Sequence, residues 1–323
     1  MTDVAPETLL MTQAARLYFD RQQSKVDIAA ALGISRFRVA RLISQALDDG
    51  LVRIEYRDVA PADRSLAAAI EAHYDLDLCV VAGGSSPTDV AREAAAMVDG
   101  LLGPGDVVGI AWGTTLGEVV SAMPARREPS VAVVQLAGNA VGFDRAHDPA
   151  ELARLLAERW GAGHHPLFAP AFVDGADVRD ALLRQPDVAP TVALFERLTM
   201  AIVGIGAFGG TLRDPAGGSS LVRSGALPAE VVDEIVRDGV VGDVLLHPVT
   251  ADGRFPATAL AARAVGISVE GLREVPRVIA VAAGAAKSDA IRGALRSGLV
   301  RILVTDVAAA QAIAPTIAPR DPS

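Results

Sequence analysis

From residue 78 onward the chain repeats one pattern, and that pattern fixes what most of it folds into. Short apolar runs lie at Leu78–Ala82, Val107–Trp112, Val131–Leu136, Met200–Ile205, Asp243–Pro248, Val278–Ala283 and Val300–Thr305. Helix-patterned stretches separate them, at Thr88–Leu102, Thr115–Met123, Pro149–Trp160, Val178–Arg184, Pro228–Asp238 and Ser288–Ser297. Strand and helix in alternation predict an α/β domain with a parallel or mostly parallel sheet and helices on both faces. Composition agrees: half the residues are apolar but only 4% are aromatic, so the core is built from Ala, Val, Leu and Ile. Small aliphatic runs of this kind are what strands buried on both faces of a parallel sheet require. At 323 residues the chain exceeds a single core, which points to a second domain.

That domain is read ahead of the repeat, where residues 8–49 pattern as three helices. The first carries Leu9, Leu10, Ala14, Leu17 and Tyr18 at helical spacing. Ser24 is placed to cap the second, with Asp27 three residues on. Gly33-Ile34 makes a turn, and Ser35 caps a third helix from Arg36 to Leu47. A short helix, a glycine turn and a second helix make a helix-turn-helix, here with Ile28, Ala29, Leu32, Ile34, Val39, Leu42 and Ile43 as its inner face. The second helix of such a pair enters the DNA major groove with its first turns toward the bases. Those turns hold Ser35, Arg36, Phe37, Arg38 and Arg41, with no acid between Ile34 and Leu47. Arginine pairs bidentately with guanine and also with phosphate, so Arg36 and Arg38 are placed nearest the bases, Arg41 nearest the backbone and Gln45 within reach of a phosphate. The plainer reading of the same residues is a small helical bundle with an exposed arginine face. Gly50–Tyr56 alternates like a strand, a wing or the start of a connector, and Pro61–Tyr74 reads as a linking helix. The expected division is 1–58 and 59–323.

Ligands on such sheets bind beyond the C-terminal ends of the strands. Trp112-Gly113-Thr114-Thr115 follows one strand and starts a helix, where free N–H groups and the helix dipole favour an anion, although Gly-Thr-Thr also serves as an ordinary turn and cap. Ala283-Gly284-Ala285-Ala286-Lys287 repeats that layout and adds a lysine, one of only two in the chain. A lysine is a compact point charge suited to phosphate; next to the positive end of a dipole it is unfavourable unless an anion sits there. Gln135 and Asn139 close a third strand and offer hydrogen bonds to hydroxyls, and Arg254 follows a tight Asp252-Gly253 turn from which it would reach over a pocket.

Several classes are set aside. The net charge of −9 argues against a protein that coats nucleic acid with its whole surface, yet residues 1–58 balance 8 basic against 8 acidic residues, which leaves room for a local DNA patch. The lone Cys79 excludes an intrachain disulfide and reads as a buried small hydrophobe. No membrane span, secretory signal, metal-ligand cluster or full nucleotide-binding motif is read, so the expectation is a cytoplasmic protein with no cofactor and no bound metal. His164 and His165 are adjacent and the other histidines are scattered.

The helix-turn-helix Ile28–Leu47 with Gly50-Leu51-Val52, then Gly109-Ile110-Ala111-Trp112-Gly113-Thr114-Thr115, Val134-Gln135-Leu136-Ala137-Gly138, Ala169-Pro170-Ala171-Phe172, and Gly284-Ala285-Ala286-Lys287 leading to Leu303-Val304-Thr305-Asp306, resemble in order and spacing the SorC family of sugar-responsive transcription regulators. The resemblance covers nearly the whole chain. It implies a winged-helix-like DNA-binding domain and an effector domain similar to glucosamine-6-phosphate deaminase and ribose-5-phosphate isomerase. It implies a sugar, polyol or sugar-phosphate effector, and a dimer or tetramer on palindromic operator DNA. By that analogy Gly113, Thr114, Thr115 and Lys287 hold a phosphate, with Gln135 and Arg254 nearby. The chain departs from the family pattern in having Ala-Gly-Ala-Ala-Lys and Gly138-Asn139. The expected function is a regulator of a carbohydrate or polyol catabolic operon rather than an enzyme. The alternatives are a constitutive DNA binder, and an isomerase- or deaminase-like enzyme for which Glu118, Asp174 and Asp306 are the acids to nominate.

Overall fold

The computed structural model describes residues 6–19, 21, 23–52, 61–84, 86–139, 148–208, 219, 221, 231 and 235–315. Residues 53–56 of the strand read at Gly50–Tyr56, most of the helix read at Pro228–Asp238, His147 and the 58/59 boundary lie outside them, while Gly50, Leu51 and Val52 form a turn and bend. The chain divides into two compact units, Met1–Asp58 and Val59–Ser323.

The first unit is three helices, α1 (Pro6–Phe19), α2 (Lys25–Leu32) and α3 (Arg36–Asp48). Ser24 caps α2 by accepting from the Asp27 backbone N–H at 3.2 Å, and its hydroxyl donates to the Asp27 carboxylate at 2.6 Å. Gly33 ends α2 in the left-handed region (φ 65°), which turns the chain within two residues toward the Ser35 cap of α3. Met11, Ala14, Ala15, Ile28, Ala29, Val39, Leu42, Ile43 and Ala46 form the core, with Leu32 and Ile34 partly buried against it. Of the stripe read on α1, Ala14 is fully buried and Leu10, Leu17 and Tyr18 pack against the core, joined by Met11 and Ala15, whereas Leu9 is 60% exposed.

The second unit is built on β1 (Leu78–Ala82), β2 (Val107–Ile110), β3 (Ala132–Gln135), β4 (Gly163–His165), β5 (Met200–Ala207), β6 (Val240–Val244), β7 (His247–Thr250), β8 (Arg277–Val281) and β9 (Ile302–Asp306). Seven of these form a parallel sheet in the order β1-β9-β8-β5-β2-β3-β4. β6 and β7 make an antiparallel hairpin that pairs with the far end of β5, at Ile205–Ala207. The run read as one strand over Asp243–Pro248 is therefore the turn of this hairpin. The turn is made by Leu245, at φ 62°, and Leu246, with none of the glycine, asparagine or proline that marks most hairpins.

Helices α4 (Pro61–Tyr74), α5 (Pro87–Leu101), α6 (Thr114–Ala122) and α7 (Pro149–Trp160) are joined by the later helix Ser288–Arg296 around the sheet. α4 is more than a linker: Ile70 is fully buried in the sheet domain's core and the Tyr74 hydroxyl donates to Ile313 O at 2.9 Å. Trp160, Leu116, Leu136 and Leu156 are likewise fully buried, and Cys79 is 4% exposed. Among the described residues no helix is long and apolar enough to cross a membrane.

The strand order creates one special place. From β2 the chain winds outward through β3 to β4; from β5, the neighbour of β2, it winds the opposite way to β8 and β9. The connections leaving β2 and β5 diverge, which opens a crevice at their C-terminal ends.

Candidate functional site

That crevice holds a cleft of about 290 Å³. Trp112–Leu116 after β2, Gly204–Gly206 of β5, Asp243 of β6, Leu245 of the hairpin turn, and Ala283 and Lys287 after β8 line it. Two loops singled out by their strand-glycine-helix layout thus meet, although Gly113 and Lys287 are far apart in sequence. Gly113 has φ 125° and caps α6 with no side-chain hydrogen bond, so the N-terminal N–H groups of α6 are not occupied by a capping side chain. Lys287 Nζ donates to Ile205 O at 3.1 Å, which ties the β8 loop to β5 across the cleft. The Gly284 N–H is already used: it donates to both carboxylate oxygens of Asp306, each at 3.1 Å, while Asp306 also caps the helix Val307–Ile313. The β8 loop therefore brings Lys287 to the cleft, and Asp306 pins the loop in place.

Two groups that the sequence did not single out complete the lining. Asp243 is 4% exposed, and its Oδ1 accepts from the Ser219 hydroxyl at 2.6 Å. Burial raises its pKa to about 7, against the opposing pull of the Ser219 hydrogen bond and the Lys287 charge. Gly206 makes room for this pair, because a Cβ there would lie 2.2 Å from Asp243 Oδ1 and 2.6 Å from Ser219 Oγ. Glu118 also lines the cleft. The cleft so presents helix N–H groups, hydroxyls and a lysine as donors, and two carboxyl groups as acceptors. This suits a small polyhydroxylated molecule, with an anionic group placed toward α6 and Lys287.

The Asp243 carboxyl has a consequence for stability. Its folded pKa lies above that of an exposed aspartate, so between about pH 4 and 7 the folded state holds a proton that the unfolded state has lost. Its contribution is thus fully present in acid and falls as pH rises through this window. We expect the pH slope of thermal stability between pH 4 and 7 to flatten in Asp243→Asn. An unchanged slope would show that Asp243 titrates normally.

Gln135 and Arg254 are not brought to this cleft. Gln135 is fully buried; its Nε2 donates to Ala137 O (2.7 Å) and Asn139 Oδ1 (2.8 Å), and its Oε1 accepts from Leu167 N–H (3.0 Å). It braces the loops after β3 and β4. Arg254 is exposed and pairs with Asp252 at 2.7 Å. Of the nominated acids, Asp174 is exposed and Asp306 is committed to backbone N–H groups, which leaves Glu118 alone in the cleft. Among the described residues no group of three or more His, Cys, Asp and Glu side chains could hold a metal ion.

In the first unit, Ser35, Arg36, Phe37, Arg38, Arg41 and Gln45 are all exposed on α3, while Val39, Leu42, Ile43 and Ala46 face the core. Phe37 is 74% exposed, and the Arg36 guanidinium lies 5.0 Å from the centre of its ring. The Ser35 hydroxyl accepts from the Arg38 N–H at 3.2 Å and starts the helix.

Residues 60–314 match the family model of the sugar-binding domain. Over 311 residues the chain is 29% identical to the deoxyribonucleoside regulator of Bacillus subtilis (strain 168), covering 94% of this chain and 96% of that protein. It is 31% identical over 313 residues to the erythritol catabolism regulatory protein EryD of Brucella abortus (strain 2308), with the same coverage of 94% and 96%. Among solved structures, the full-length sorbitol operon regulator SorC of Klebsiella pneumoniae is similar with a TM-score of 0.72 at 25% identity, covering 95% of this chain and 99% of that one.

Proposed function

The chain belongs to the SorC-type sugar-binding domain family of transcriptional regulators, and from that premise we propose that the cleft at the β2/β5 divergence is its effector site and that α3 is its DNA reader. It is a regulator of the sugar and polyol operon kind, not an enzyme. The observation that carries the effector assignment is the convergence of Thr114, Thr115, Lys287 and the buried Asp243 on one small cleft. In this reading Gly113, Thr114, Thr115 and Lys287 hold an anionic group, a phosphate where the effector carries one. Asp243 and Ser219 read hydroxyls deeper in. Gln135 braces the loops after β3 and β4, and Arg254 stays outside the cleft, paired with Asp252.

Residues 1–58 form the DNA-binding domain and 59–323 the effector and oligomerisation domain. Ser35, Arg36, Phe37, Arg38, Arg41 and Gln45 make the DNA contacts. The protein acts in the cytoplasm as a homo-oligomer, dimer or tetramer, whose paired readers engage a palindromic operator. Effector control requires that the ligand bind two arrangements of the oligomer with different affinity, so that it shifts the population between them. The test is fluorescence anisotropy on an operator duplex obtained by selection, with and without sugars, polyols and sugar phosphates. One such compound should change operator affinity several-fold or more. Constant affinity across the whole panel would make the chain a constitutive binder.

A further inference from the structure

The outward face of α3 has an aromatic ring at its centre. Val39, Leu42, Ile43 and Ala46 turn into the core of the first unit. At about 100° per residue, the direction opposite to theirs falls on Phe37, and Arg41 and Ser44 follow one and two turns along the same line. All three are exposed. Phe37 takes no part in the core and is more exposed than any other large apolar side chain among the described residues. It remains so although the Arg36 guanidinium lies 5.0 Å from its ring centre. Its position is fixed by the helix start, where the Ser35 hydroxyl accepts from the Arg38 N–H.

Single apolar residues on a surface are ordinary; this one is set apart by its place and its neighbours. Arg36 and Arg38 stand to either side of it, Arg41 lies one turn on, and no acid falls between Ile34 and Leu47. The next outward side chains, Arg41 and Ser44, are polar, so the apolar area is one ring, too small for the core of a protein interface. The arginines select a polyanion. Duplex DNA is a polyanion that also offers an apolar target of matching size, the thymine 5-methyl group in the major groove. Resting on the assignment of α3 as the DNA reader, we propose that Phe37 is a specificity-determining residue: its ring receives the 5-methyl group of an operator thymine, and Arg36, held against that ring, reads the adjacent base pair.

The test is binding of the full chain to the selected operator with its thymines replaced one at a time by deoxyuridine, which removes the methyl group and keeps every hydrogen-bonding group. At one position the wild type should lose affinity about 3- to 5-fold, the worth of burying one methyl group. With cytosine at that same position, adding a 5-methyl group should recover a similar factor. Phe37→Ala, which removes an exposed side chain and leaves the core intact, should bind the thymine and uracil duplexes equally. Equal affinity of the wild type for every uracil duplex and its thymine parent, or a uracil penalty that persists in Phe37→Ala, would overturn the proposal. Arg36→Ala and Arg38→Ala, measured on the same duplexes, locate the failure. Lost affinity in these two without any uracil effect rejects the role of Phe37 alone; unchanged affinity in all three variants rejects α3 as the DNA reader, and the proposal with it.

Discussion

Changing Thr115 and Lys287 together to alanine should abolish the response to effector while operator affinity without effector stays where it was. The two side chains meet in the cleft from different loops, the start of α6 and the approach to Ser288–Arg296. Neither belongs to the first unit, Met1–Asp58. An effector present at about 100 times its dissociation constant stabilises the folded state by about 2.7 kcal/mol. That whole increment should vanish from a thermal unfolding curve of the double variant, because it loses the cation and a hydroxyl at the helix start. The loss of the Lys287 bond to Ile205 O makes a modest fall in basal stability part of the expectation. A collapse of operator binding in a folded double variant would contradict the assignment of these residues to sensing.

The second large effect is on DNA. Arg36 and Arg38 extend from the first turn of α3, beside the Ser35 cap, where a major-groove helix presents its base-reading side chains. Arg36→Ala or Arg38→Ala should each cost about 1–3 kcal/mol on the selected operator and relax preference at one base position. Arg41→Ala should behave differently: it should weaken all sequences alike and lower the salt dependence of binding by roughly one phosphate contact. Competition binding on single-base operator variants at two salt concentrations separates the two behaviours. Equal loss on every sequence for all three arginines would mean that α3 grips the backbone without reading bases.

These expectations show where sequence reasoning succeeds and where it stops. The caps at Ser24 and Ser35, the Gly33 turn and the parallel strands were legible because each rests on local chemistry: a short polar side chain before a helix, a residue free to adopt positive φ, an apolar run of strand length. The Gly113 and Lys287 loops were legible for the same reason. That they face each other was not, since it depends on a strand order in which β2 neighbours β5. Asp243 was hidden by the same cause; the available signal was an acid inside the apolar run Val240–Leu246, a placement that needs a partner. The β6–β7 hairpin was missed because two leucines make its turn. Gln135 misled for a different reason. An amide at a strand end reads as a ligand contact, but this one is fully buried, and both of its N–H donors and one lone pair of its oxygen are taken by internal hydrogen bonds.

The central claim is that a sugar-type effector sits where the connections from β2 and β5 diverge. Amide hydrogen exchange with and without the compound that shifts operator affinity tests it directly. The account predicts added protection at residues 113–117, 204–206 and 283–287, the segments that converge on the cleft. Protection confined to other segments of the larger unit, with these three unchanged, would contradict it.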